Sequence, residues 1–170
     1  MSTLNGLIIR PATPEDVDVL VRFSAAMAKE TEGRRLDTAR LREGTQAVLD
    51  APERGFYIVA EVEGRSPRVV GQLLVTFEWS DWRNATFWWI QSVYVDPAWR
   101  RRGVYRSMHH AILERAKRRG DVCGVRLYVE RENRVAQTVY ARVGLATSSY
   151  HVFENDFMFS RKRGRAKRKR

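Results

Sequence analysis

The 170-residue chain has one cysteine, Cys123, so no internal disulfide can brace it, and a reducing, cytoplasmic setting is the expectation. No stretch approaches the ~18 consecutive apolar residues that a membrane span needs. The start, MSTLNGLIIRPATPEDVD, lacks the basic opening and long apolar run of a secretory leader. Familiar chemical templates are missing as well. Without G-x-x-x-x-G-K-S/T or G-x-G-x-x-G, neither a P-loop nor a dinucleotide-binding fold is supported. Without G-x-S-x-G, an α/β-hydrolase is disfavoured. Histidine is scarce: His109 and His110 are adjacent, so on a helix they point ~100° apart and cannot share a metal, while His151 stands alone. No metal is expected. Cys123 opens an apolar strand without a base beside it in sequence and reads as a core residue.

What the chain does contain suits one folded domain: 44% hydrophobic and 11% aromatic residues exclude a mostly disordered polypeptide. The net charge of +11 resembles a nucleic-acid signal, but it is concentrated at one end. The last ten residues, RKRGRAKRKR, hold eight Lys or Arg and no acid; without them the charge falls to +3. Residues 1–160 therefore read as the domain and 161–170 as a disordered basic tail. That tail is either simply solvated or an arm for RNA, DNA or another polyanion.

Periodicity sets the expected elements. LIIR (7–10) reads as a strand. Thr13 as N-cap, Pro14 behind it and the acids Glu15 and Asp16 predict a helix start, followed by Val17, Leu20, Val21, Ser24, Met27 and Ala28 at helical spacing. ETEGRR breaks that helix, and Asp37 caps a second one through Leu41, Ala47 and Val48. The period then changes. GFYIVAEV (55–62) and RVVGQLLVTFEW (68–79) predict an antiparallel pair. ATFWWIQSVYV (85–95), apolar on both faces, predicts a central covered strand. A helix with Val104, Met108, Ala111, Ile112 and Ala116 inward follows, then a buried strand in VCGVRLYVE (122–130). A short helix presents Ala136, Val139, Tyr140 and Val143 and ends at Gly144. YHVFENDFMF (150–159) predicts a last strand. The sum is an α/β domain: a mixed, mostly antiparallel sheet with helices on both faces.

The stretch VDPAWRRRGVYR (95–106) runs from strand through loop into helix, where ligands of open α/β sheets sit. A helix start exposes N–H groups with partial positive charge, suited to phosphate. Gly103 admits close backbone approach, and Arg100, Arg101, Arg102 and Arg106 add charge. One compact cradle favours a pyrophosphate over a long polyanion. The plainer alternative is a helix start with solvated arginines.

V-D-P-A-W-R-R-R-G-V-Y resembles the V-x-P-x-x-R-G-x-G-x-G/A acyl-CoA loop of the GNAT superfamily of acyl-CoA-dependent N-acyltransferases. N-R-V-A-Q-T-V-Y-A-R-V-G-L (133–145) resembles its second signature, N-x-x-A-x-x-x-Y-x-x-x-G-F. The element order resembles that fold over residues 7–159. The resemblance implies acetyl-CoA as co-substrate and an amine as acceptor, a small molecule or protein, with a homodimer as one assembly. It implies that backbone groups of Val93, Tyr94 and Val95 line the pantetheine arm. The amides from Arg101 through Arg102, Gly103, Val104 and Tyr105 to Arg106 would bind the diphosphate while Arg100 holds the loop. Asn133 would contact the pantetheine or shape its channel, and Tyr140 would protonate the departing thiolate. The chain departs from the motif at Arg101 and Tyr105, where the family has Gly and Gly/Ala. Gln91 stands where many members carry a glutamate base, so Glu78 is the first candidate for proton acceptor, with Glu30, Glu32 and Asp81 behind it. FEWSDWRNATFWW gathers four of the five tryptophans and would border the acceptor side. The rival to an enzyme is an acyl-CoA-binding domain without turnover.

Overall fold

The computed structural model describes residues 6–158. Strands β1 (Leu7–Pro11), β2 (Phe56–Val62), β3 (Arg68–Ser80), β4 (Ala85–Val95) and β5 (Val122–Leu127) form one sheet in sequence order. Helices α1 (Val17–Glu32), α2 (Thr38–Asp50), α3 (Val104–Lys117) and α4 (Arg134–Arg142) complete the described fold. β1 to β4 pair antiparallel, and β5 joins β4 in parallel through the α3 crossover.

Side-chain alternation along β2 divides the core. Ile58 and Ala60 join Val70, Leu73, Val75, Trp88 and Ile90 under Val104, Met108, Ile112 and Ala116 of α3. Tyr57 and Val59 point the other way, against Leu20 of α1 and Val48 and Leu49 of α2. Helices thus cover both faces. Asp37 caps α2 by accepting from the Arg40 amide at 2.9 Å, as its position predicts. Thr13 and Pro14 open a single 3-10 turn, Pro14–Asp16, before α1 proper begins. Among the described residues no helix is long and apolar enough to cross a membrane.

Some expectations are corrected. β4 is the fourth strand of five rather than the centre, and β5 is half-buried along its whole length. Ala111 is half-buried, whereas the neighbouring His109 is buried. The last strand is not formed over its described part, and Tyr150, Val152, Phe153, Phe157 and Met158 are exposed. The intervening Glu-Asn-Asp run is poor in strand propensity, and the Asp156 carboxylate accepts from the Met158 amide at 2.8 Å, a local bond that competes with a ladder. The basic tail, with any nucleic-acid contact, lies outside the described residues.

Candidate active site

The sheet opens where β4 outruns β5. Their parallel pairing covers Thr86 to Ile90 and ends at Ile90 opposite Leu127. Ser92, Val93, Tyr94 and Val95 are then paired with β3 alone, opposite Leu74, Leu73, Gln72 and Gly71. Gln91 is skipped in the β3 register, so a bulge sits where the two strands part. In the middle of a sheet, this leaves one flank of a strand with main-chain polar groups turned to the opening.

The opening leads to the start of α3. Asp96 caps the turn Pro97–Trp99 by accepting from the Ala98 amide at 3.0 Å, and Arg68 reaches the same carboxylate at 2.9 Å. Gly103 takes a left-handed φ of 85° at the α3 N-cap, and a Cβ there would meet no atom within 4 Å. Its need is conformational rather than one of space. Arg101 is also left-handed, at φ 61°, with its side chain in solvent. The position where the family has glycine thus keeps the glycine geometry with an arginine on it. The first helical bond runs from the Ser107 amide to the Gly103 carbonyl at 3.0 Å, so the amides of the preceding turn face out of the helix end.

Arg100 folds back instead of joining that anion cradle. Its Nε donates to the Val95 carbonyl at 2.9 Å and its Nη2 to Glu30 Oε2 at 2.6 Å. The other Glu30 oxygen accepts from the Tyr94 hydroxyl at 2.7 Å. Arg100 therefore holds the loop, and Glu30 ties the end of α1 to it. The Tyr94 phenol is pushed up to about 12 by burial and by donating to the Glu30 carboxylate. Glu30 in turn lies below the usual carboxylate range, chiefly because Tyr94 donates to it. The side chain of Tyr94 packs on Phe23 of α1, with ring centres 5.1 Å apart, so only its backbone belongs to the open flank.

On the α3 side of the sheet, Tyr140 of α4 meets Tyr105 edge-on with ring centres 5.6 Å apart, and Tyr105 lies 5.7 Å from the His109 ring. Tyr105 thus turns from the phosphate cradle into the α3–α4 contact. Burial raises both phenols, so both stay protonated at neutral pH. Asn133 is the N-cap of α4: its Oδ1 accepts from the Ala136 amide at 3.0 Å. His109, four residues on from Tyr105, shares its helical face and is buried there.

An open cavity of about 830 Å³ lies between β5, α4 and residues 145–152. Its walls include Trp89, Arg126, Tyr128 and Tyr140, but not residues 93–106, so the predicted residues divide between this cavity and the α3 start. Trp89 and Tyr128 stack at 4.3 Å. Behind them Glu78 accepts from the indole of Trp89 and, at 2.9 Å, from Arg126. The Arg126 guanidinium carbon lies over Phe87, 3.5 Å from its ring centre. Gln91 donates to the Thr76 hydroxyl at 2.8 Å. Glu32 is ion-paired to Arg34 at 3.5 Å, and the Asp81 carboxylate accepts from the adjacent Trp82 amide at 2.8 Å. Trp79 and Trp82 are exposed, while Trp88 fills the core. The tryptophan-rich segment thus contributes one residue, Trp89, to the cavity wall.

A parallel-paired strand that loses its neighbour beside an amide-presenting helix start leaves a cleft with main-chain polar groups along it and an anion-suited end. The model of the acetyltransferase (GNAT) family matches residues 23–145, and the chain belongs to that family. A possible acetyltransferase from Clostridium difficile 630 is 38% identical, with a TM-score of 0.83 over 90% of this chain and 99% of that one. An integron cassette protein from the mobile metagenome of Cole Harbour Salt Marsh shares 21% identity and a TM-score of 0.76, covering 89% and 91%. An aminoglycoside N-acetyltransferase in complex with CoA shares 14% identity and a TM-score of 0.72, covering 89% and 95%, a likeness of fold. No curated protein matches the sequence significantly.

Proposed function

We propose that the chain transfers an acetyl group from acetyl-CoA to a primary amine by direct attack of the amine on the thioester. The observation that carries this reading is the half-paired end of β4, open beside the α3 amides on one side and Tyr140 on the other. Amides around Gly103 would take the diphosphate, and the open flank at Val93 and Val95 would pair with the pantetheine arm. A backbone N–H of that flank would polarise the thioester carbonyl. The amine nitrogen forms a bond to the acyl carbon, the carbon–sulfur bond breaks, and the Tyr140 phenol protonates the departing thiolate. The proton of the attacking amine leaves to water. Glu78, whose two oxygens already accept from Arg126 and Trp89, serves in this reading as a positioning residue for the cavity wall rather than as the proton acceptor.

The test is acetyl-CoA with a panel of amines, reading free thiol. Tyr140→Phe should slow turnover about 100-fold, the scale of one general acid, and leave CoA binding intact. A wild type that binds CoA yet releases no thiol with any amine would make the chain a silent acyl-CoA-binding domain. One that binds no CoA would overturn the reading altogether.

A further inference from the structure

Two buried polar atoms on one face of α3 have no hydrogen-bond partner among the described residues: the Tyr105 hydroxyl and His109 Nε2. His109 is 2% exposed, and the two rings are one helical turn apart on the same face. Buried polar groups are nearly always hydrogen-bonded, so a neighbouring orphaned pair calls for a polar partner. The third such atom, Gln72 Oε1, is a separate case: it lies under α1, where the same side chain donates to Ser24.

The position of the pair says what that partner is. Tyr105 stands in the first turn of α3, beside the amides assigned to the diphosphate, and its ring touches Tyr140, assigned to the thioester. It therefore lies between the two ends of the cofactor. The portion of coenzyme A joining those ends is the pantetheine arm, a thin chain with two secondary amides. Each amide offers one carbonyl acceptor and one N–H donor. A protonated phenol and a neutral imidazole nitrogen are the matching donor and acceptor, and burial keeps the imidazole neutral by lowering its pKa, with His110 adding to that effect.

We propose that Tyr105 and His109 form a receptor for one pantetheine amide, Tyr105 donating to its carbonyl and His109 Nε2 accepting from its N–H. The inference rests on the acyl-CoA reading above. It also gives a use to the departure from the family loop, because the Gly or Ala of that motif has no side chain with which to make this contact.

Tyr105→Phe tests it, since the ring and its contact with Tyr140 are kept and only the hydroxyl is lost. Calorimetric titration compares CoA with ADP, which carries the diphosphate but no pantetheine. Loss of one hydrogen bond should weaken CoA about fivefold and leave ADP unchanged. His109→Leu should show the same selective loss, with thermal melts of both variants confirming that each is folded. Unchanged CoA affinity, or an equal loss for CoA and ADP, overturns the proposal while the acyl-CoA reading stands. A wild type that binds neither ligand overturns both.

Discussion

Replacing Glu30 with alanine should cost about 2 kcal/mol of stability, although the residue lies at the end of a helix. Its carboxylate takes the Tyr94 hydroxyl at 2.7 Å and Arg100 at 2.6 Å. The Arg100 and Glu30 side chains are 42% and 41% exposed, so the ion pair contributes at most about 1 kcal/mol. Tyr94 is 7% exposed and donates to a charged acceptor, a bond worth about 1.5 kcal/mol whose loss strands a buried hydroxyl. For a domain of this size 2 kcal/mol lowers the melting temperature by about 6 °C. Urea denaturation of Glu30→Ala, Tyr94→Phe and the double variant gives the coupling directly. About 1 kcal/mol is expected between the two sites. Raising the salt should erode only the Arg100 share. The reasoning fails if the two substitutions add within about 0.3 kcal/mol, because α1 and β4 would then not be joined through this carboxylate.

Gly55→Ala should be severe: a Cβ there would lie 2.2 Å from the Val75 carbonyl oxygen at φ 153°. A loss of about 3 kcal/mol in the unfolding free energy from urea denaturation is expected, and a loss below about 1 kcal/mol would contradict the packing of β2 on β3. Acid should also weaken the fold through Asp16. Burial pulls its pKa up, but the Arg10 guanidinium and the Thr13 amide outweigh this and hold it below the usual value. A depressed carboxylate stabilises above its unfolded pKa, about 4, and loses that contribution as pH falls through its folded value. Urea midpoints from pH 6 down to pH 3 should therefore fall more steeply for the wild type than for Asp16→Asn; parallel curves would refute the assignment.

The local grammar of the chain was legible where short-range chemistry decides. The Asp37 cap, the break at Gly33, the β2–β3 hairpin and the Gly144 terminus all follow from residue type and spacing. Strand rank was not, because the apolar run of β4 satisfies a central strand and a next-to-edge one equally. The segment after Ser148 failed for a related reason: alternating aromatics mark a strand only if a neighbour offers a ladder, and Glu154 to Asp156 favour local bonds instead. At the site, Arg100 as a loop clamp and the amide-bearing helix start could be read from the motif. The engagement of Glu78 by Trp89 and Arg126 could not, since it depends on β3, β4 and β5 lying side by side, with partners 11 and 48 residues away in sequence. His109 was hidden by its neighbour, because two adjacent histidines draw attention to metals and away from the helical face that only one of them shares with Tyr105.

The unpaired end of β4 has a consequence for colloidal behaviour. A naked strand flank normally invites neighbouring molecules to add on, which is the first step toward aggregates. Here only Gln91 to Val95 lack a β5 neighbour, a bulge falls at Gln91, Pro97 follows them, and Arg100 crosses the end of the row through the Val95 carbonyl. So short a bare row with a cationic mouth is poorly suited to recruit another polypeptide, and the geometry proposed to hold the ligand would therefore double as a gatekeeper.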